Sequence, residues 1–163
     1  MFNGIETAGL QTYNSAMSWD MVEKLKKFTK MKVVLKGIES REDARLSREN
    51  GADGIVVSNH GGRAEESGRG TIECLPEVID GAGSMPVLVD GGFRRGTDIY
   101  KALALGARAV GVGRPYLWGL AAFGQPGVER VLDILRGELE LTMKQMGRRT
   151  IREIDRSSIV SAG

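Results

Sequence analysis

The chain has 163 residues, 41% hydrophobic and 27% charged, enough for one domain with a sizeable core and the make-up of a soluble globular protein. A net charge of +2 with both signs interspersed excludes a dedicated nucleic-acid surface, and the longest apolar stretch, Tyr116 to Phe123, is too short to cross a membrane. One cysteine, Cys74, excludes an internal disulfide framework and points to a reducing compartment, the cytoplasm, in keeping with an opening that lacks a signal-peptide pattern.

Residues 1–17 show no periodicity and read as an irregular lead-in. Ser18 suits a helix cap, and Trp19, Val22, Leu25 and Phe28 recur every third residue, predicting a helix to about Thr29 with one apolar face. Lys24, Lys26 and Lys27, with Lys30 and Lys32 beyond, fit a solvated face better than a binding patch. Val33-Val34-Leu35 predicts a short strand buried on both sides, ended by Lys36-Gly37. Ser40, with Asp43 three positions on, starts a second helix that Asn50-Gly51 stops. Gly54 to Val57 is the next strand and runs into Ser58-Asn59-His60-Gly61-Gly62-Arg63. A helix from about Ile72 to Ile79 leads through Gly81-Ala82-Gly83 to a third strand, Pro86 to Val89. A polar glycine turn, Asp90 to Thr97, precedes a helix from Asp98 to Leu105, stopped by Gly106. Ala109 to Val112 is a fourth strand, ending at Gly113-Arg114-Pro115. A short apolar helix and a long one from Gly127 to Met146 close the ordered part, so 18–151 reads as one domain and 152–163 as a tail.

Strands alternating with helices, each strand a continuous apolar run, predict an α/β fold with a parallel sheet. The segment from Asp43 to Asn59 is echoed 55 residues later by Asp98 to Arg114, with Gly51-Ala52 answered by Gly106-Ala107. Duplicated βα pairs favour half of a TIM (β/α)8 barrel, about four parallel βα units with an extra C-terminal helix, over a doubly wound sheet. A complete barrel needs eight strands and about 250 residues.

Barrel chemistry sits at the C-terminal ends of the strands, and here those ends are Lys36, Ser58 to Arg63, Asp90 to Arg94, and Gly113-Arg114. All four polar clusters fall on one face, whereas the opposite turns (Gly51-Ala52, Gly83-Ser84, Gly106-Ala107) carry no chemistry. His60, the only histidine, supplies a base of near-neutral strength, and Arg63 a planar fork that matches a carboxylate. The alternative is a surface turn with a solvated arginine. The glycines of the last two clusters let backbone N–H groups approach an anion, with the following helix presenting its N-terminus and Arg94 and Arg114 adding charge. The alternative there is that they only permit tight turns. No metal-ligand cluster stands out.

These motifs resemble one family, the FMN-dependent 2-hydroxy-acid oxidases and dehydrogenases, which include glycolate oxidase, lactate oxidase and the flavin domain of flavocytochrome b2. The matching segments are Leu35 to Ile38, Gly54 to Arg63, Val89 to Asp98, and Leu105 to Pro115, and the likeness runs from about Trp19 to Ile151. The resemblance implies that Lys36 meets the pyrimidine edge of FMN and that Ser58 hydrogen-bonds the cofactor. It implies that His60 is the catalytic base and that Arg63 binds the carboxylate of an (S)-2-hydroxy acid, which is oxidised to the 2-keto acid. Asp90, Gly91, Gly92, Phe93, Arg94, Gly113 and Arg114 would hold the ribityl-phosphate end. The resemblance covers the C-terminal half of the family's barrel only. The N-terminal half normally supplies the rest of the flavin pocket, substrate-contacting tyrosines and an aspartate that orients the histidine. After Arg63 the chain reads Ala64-Glu65-Glu66-Ser67-Gly68-Arg69-Gly70, where the family usually continues Gln-Leu-Asp. An open half also leaves strand edges and inward residues without partners, which predicts association with a second copy or with a complementary N-terminal half-barrel. The competing readings are a non-catalytic half-barrel that only binds FMN or another phosphate ligand, and a barrel enzyme for a different phosphate-bearing substrate.

Overall fold

In the computed structural model, which describes residues 17–63 and 66–160, the four expected strands form one parallel sheet. They are β1 (Val34–Lys36), β2 (Gly54–Val57), β3 (Val87–Val89) and β4 (Ala109–Val110), in the spatial order β1-β2-β3-β4. The helices are α1 (Asp20–Phe28), α2 (Arg41–Glu49), α3 (Thr71–Ala82), α4 (Gly96–Ala104), α5 (Arg114–Phe123) and α6 (Gln125–Gln145). The lead-in lies outside the described residues up to position 16.

Local signals place most of these boundaries. Ser40 Oγ accepts from Asp43 N at 3.1 Å and caps α2, and Gly51, at φ 81°, follows the Asn50 cap. The internal repeat is structural: shifting the bounds of α2 by 55 residues gives those of α4. Asp98 occupies in α4 the place of Asp43 in α2, but here its carboxylate accepts from Arg94 N and Arg95 N.

The register settles which side chains share a face. Leu35, Ile55 and Val87 stand side by side, as do Val57, Val89 and Val110. These meet the helices: Ile55, Val57 and Val89 are 0% exposed and cluster with Ala44, Leu75, Val78 and Ala102. Because side chains alternate along a strand, Val34, Lys36, Val56, Leu88 and Ala109 belong to the other face, and none of them is buried.

Two expectations are corrected here. The strand around Val34 is not buried on both sides: Val34 is 47% exposed, because β1 is an edge strand and this face of the sheet is open. The second concerns α1, whose apolar face is largely exposed and which Ser18 does not cap. Val22 is 3% exposed, but Leu25 is 39% and Phe28 90% exposed, and the helix starts from Trp19 without a side-chain cap. Beyond α6 the chain does not trail off as a bare tail. Two 3-10 turns, Ile151–Glu153 and Arg156–Ser158, bring Ile154 into a second small core with Tyr100 and Ala104.

α5 and α6 touch through glycine. A Cβ on Gly119 would run into the backbone of Gly127, and one on Gly127 into that of Gly119. No helix of the described residues is long and apolar enough to cross a membrane.

Candidate active site at the strand ends

Each strand delivers one polar cluster to its C-terminal end, and the clusters converge on a cavity of about 540 Å³. Ten of the eleven residues singled out from the sequence line it: Lys36, His60, Arg63, Asp90, Gly91, Gly92, Phe93, Arg94, Gly113 and Arg114. The Phe93 ring belongs to the main core, so this residue anchors its turn as well as bordering the cavity. The eleventh, Ser58, lies beneath the wall at 1% exposure.

Ser58 is the junction of the site. Its hydroxyl accepts from Lys36 Nζ at 2.6 Å and from His60 N at 3.2 Å, and donates to Asp90 Oδ1 at 2.5 Å. A hydroxyl has one proton and two lone pairs, so its capacity is used within the protein. Ser58 therefore reaches the cavity through its neighbours rather than offering a free group to a cofactor. Lys36 Nζ also meets Asp90 Oδ2 at 3.0 Å, which closes a Lys-Ser-Asp triangle across three strands.

His60 is the one non-glycine residue at positive φ, 54°, among the described residues. Such a conformation costs about 1–3 kcal/mol and persists only where the surroundings fix it. Here Asn59 Oδ1 accepts from Gly61 N at 3.1 Å and Gly62 N at 3.0 Å, and His60 O accepts from Arg63 Nε at 3.0 Å. That bond uses one of the five N–H donors of Arg63, and its exposed guanidinium keeps the rest of the fork. The glycine turn after β3 is held from below by Thr71, at 2% exposure, whose Oγ1 donates to Asp90 O at 2.6 Å and lies 3.2 Å from Gly91 O.

The start of α4 differs from the expectation of a helix N-terminus open to an anion. The first amides of α4 are already committed: Arg94 N and Arg95 N donate to Asp98 Oδ2, and Gly96 N donates to Glu138 Oε2 at 2.7 Å. Arg95 is drawn to the same Glu138, at 2.9 Å. The helix start that faces the cavity is that of α5, where Gly113 provides no side-chain cap and Arg114, Tyr116 and Leu117 form the wall. Arg94 lies 5.5 Å from the centroid of Trp118 on α5, so the β3 turn and the α5 start are joined by a cation–π contact. Among the described residues of the wall, Lys36, Arg63, Arg94 and Arg114 face one carboxylate, Asp90, which leaves surplus positive charge among them. Among the described residues no group of three or more His, Cys, Asp and Glu could hold a metal ion.

A family model described as FMN-dependent dehydrogenase matches residues 3–161. The chain belongs to this family. A peroxisomal (S)-2-hydroxy-acid oxidase of Oryza sativa subsp. japonica is 49% identical over 160 residues, 98% of this chain and 44% of the relative. Glycolate oxidase of Spinacia oleracea is 46% identical, over 94% of this chain and 43% of its own length. Among solved structures, a mandelate oxidase superposes with a TM-score of 0.81 at 47% identity, over 86% of this chain and 43% of that one. A soluble mutant of the membrane-associated (S)-mandelate dehydrogenase of Pseudomonas putida gives 0.86 at 39% identity, over 92% and 43%. The chain thus spans less than half the length of the family members it matches, and its four βα units are a partial TIM barrel.

Sequence reasoning missed several parts of this family site. Tyr116 and Leu117 follow Gly113-Arg114-Pro115 directly, and a helix start after a glycine turn was a usable signal for them. Thr71 and Asn59 act through bonds to turns that no local pattern announces.

Proposed function

We propose that this chain carries the base and the cofactor-phosphate end of an FMN-dependent oxidoreductase that converts an (S)-2-hydroxy acid to a 2-keto acid. The observation that carries this reading is the convergence of one histidine, one carboxylate fork and three further cations on a single cavity at the strand ends. The residues fit FMN by their donor set. The start of α5, with Arg114 and Arg94, suits the phosphate; Lys36 suits the pyrimidine edge; and the volume lies within the range of about 300–1,000 Å³ usual for such ligands. Bound there, the flavin would accept the electron pair that leaves the substrate. His60 takes a proton from the substrate, at the hydroxyl or the α-carbon, and its held left-handed backbone fixes where the side chain leaves the turn. Arg63, braced on His60 O, grips the carboxylate and fixes the reacting carbon beside the base. The relatives' names, hydroxy-acid and glycolate oxidase, point to the same substrate class.

Among the described residues nothing pairs with the outer edges of β1 and β4 and one sheet face stays uncovered, which supports a second part of the proposal. A second copy or a complementary N-terminal half-barrel covers Val34, Val56, Leu88 and Ala109 and completes the flavin pocket. Sedimentation of the purified chain tests this: association at micromolar concentration is expected, and a well-folded monomer would contradict it. The buried Cys74 suits a reducing compartment, the cytoplasm in our reading, although the Oryza sativa relative is named as peroxisomal. The functional test is spectroscopic. A yellow protein whose flavin bleaches anaerobically with a 2-hydroxy acid supports the enzyme. Flavin bound without bleaching supports a binding module, and no flavin bound by the assembled protein contradicts the reading.

A further inference from the structure

We propose that Gly37 is a positioning residue for His60: the side chain missing from the turn after β1 sets where the imidazole stands. This rests on the reading of His60 as the base, but the geometry is independent of any turnover. A Cβ built on Gly37 would lie 3.1 Å from His60 Nε2 and 3.8 Å from Cδ2, with nothing else within 4 Å. Among the described residues, chain neighbours aside, the imidazole is therefore the group that lies over this glycine.

Neither backbone can yield. Gly37 N donates to Val56 O at 3.1 Å, Lys36 before it is tied to Ser58 and Asp90, and Ile38 after it is 9% exposed in the main core. His60 is held through its own N–H, through its carbonyl and through the Asn59-bonded glycines that follow. What remains free is the rotation of the ring, and Gly37 is the wall on which its Nε2 edge rests. The same turn carries Lys36, so one short segment places the cation and limits the base. Gly37 also has φ 99°, a conformation that side chains rarely adopt.

Adding a methyl group would thus push an exposed ring aside rather than break the core. A contact at 3.1 Å moves the ring by tenths of an ångström, so the loss in rate should stay below the roughly 10²-fold that a misplacement of about 1 Å can cost. The experiment is NMR on the full chain, where the single histidine makes the imidazole signals unambiguous. The wild type is expected to show a cross-peak between Gly37 Hα and His60 Hδ2, and Gly37→Ala to move the ring signals. Gly51→Ala is the control: it has φ 81° but nothing within 4 Å of its Cβ, so it carries the backbone penalty alone. Ring signals in Gly37→Ala that stay where Gly51→Ala leaves them, or a wild type without the cross-peak, would overturn the proposal. If Gly37→Ala melts too low for spectra, the double variant with the shorter His60→Asn decides. Recovery of the melting temperature assigns the obstacle to the imidazole, and no recovery assigns it to the backbone and overturns the proposal. In the flavin-loaded protein kcat/KM should fall, by less than about 10²-fold, in Gly37→Ala but not in Gly51→Ala. If the protein proves inactive, the NMR outcome still stands on its own.

Discussion

Two aspartates at opposite ends of the sheet show what separates a structural end from a functional one. Asp53, leading into β2, is closed off by partners: Val33 N at 2.9 Å, Lys26 Nζ at 3.0 Å and Lys32 Nζ at 3.3 Å. The backbone bond first, and the lysines after it, pull its carboxyl down from 3.8 to about 2. Asp90, leaving β3, is likewise bound by Ser58 and Lys36, yet it borders a cavity with three arginines besides. Both ends use lysine, aspartate and glycine. At the Asp53 end the bonding is satisfied among the residues present; at the Asp90 end positive charge and donors are left over, facing an open volume.

Substitutions at the two ends should therefore separate chemistry from stability. The largest effect is expected for His60→Asn in the assembled, flavin-loaded protein. Loss of a general base lowers kcat/KM by about 10²–10⁴-fold, while flavin binding and melting temperature stay near wild type, since asparagine tolerates the left-handed backbone. Arg63→Lys keeps the charge but loses the fork. The loss of a hydrogen bond to a charged group, about 1.5–3 kcal/mol, should raise KM by roughly 10- to 100-fold with a smaller change in kcat. Away from the site, Gly119→Ala forces α5 off α6 and should cost about 1–3 kcal/mol in thermal or denaturant melts. It should also weaken phosphate-end binding, because α5 carries Arg114. The smallest effect belongs to Asp53. A carboxyl held at about 2 and returning to 3.8 on unfolding contributes stability that is fully present above 3.8 and is lost as pH falls toward 2. Asp53→Asn should thus lower the melting temperature at neutral pH, leave kcat/KM unchanged, and converge with wild type near pH 2.

Much of this contrast is legible in the sequence, and the exceptions have a common cause. The alternation of apolar runs with glycine-stopped helices yields the strands and their order, and of the eleven residues read off the strand ends ten stand on the cavity wall. What local pattern cannot tell is which side of an element is covered. Val33-Val34-Leu35 is as apolar as a fully buried strand, yet Val34 faces the open side. Nor can it foresee a partner distant in sequence. Glu138, on α6, captures Arg95 and Gly96 N, so the start of α4 is already bonded and the start of α5 is the one that faces the cavity. Ser58 teaches the same lesson at close range, since its hydroxyl is used up by Lys36, Asp90 and His60 N.

The most direct test mixes the flavin-loaded protein with a 2-hydroxy acid in the absence of oxygen, wild type beside His60→Asn. The account predicts that both are equally yellow, that the wild type bleaches in a single turnover, and that His60→Asn bleaches about 10²-fold more slowly or not at all. Equal bleaching by both, or loss of flavin from His60→Asn alone, would contradict it.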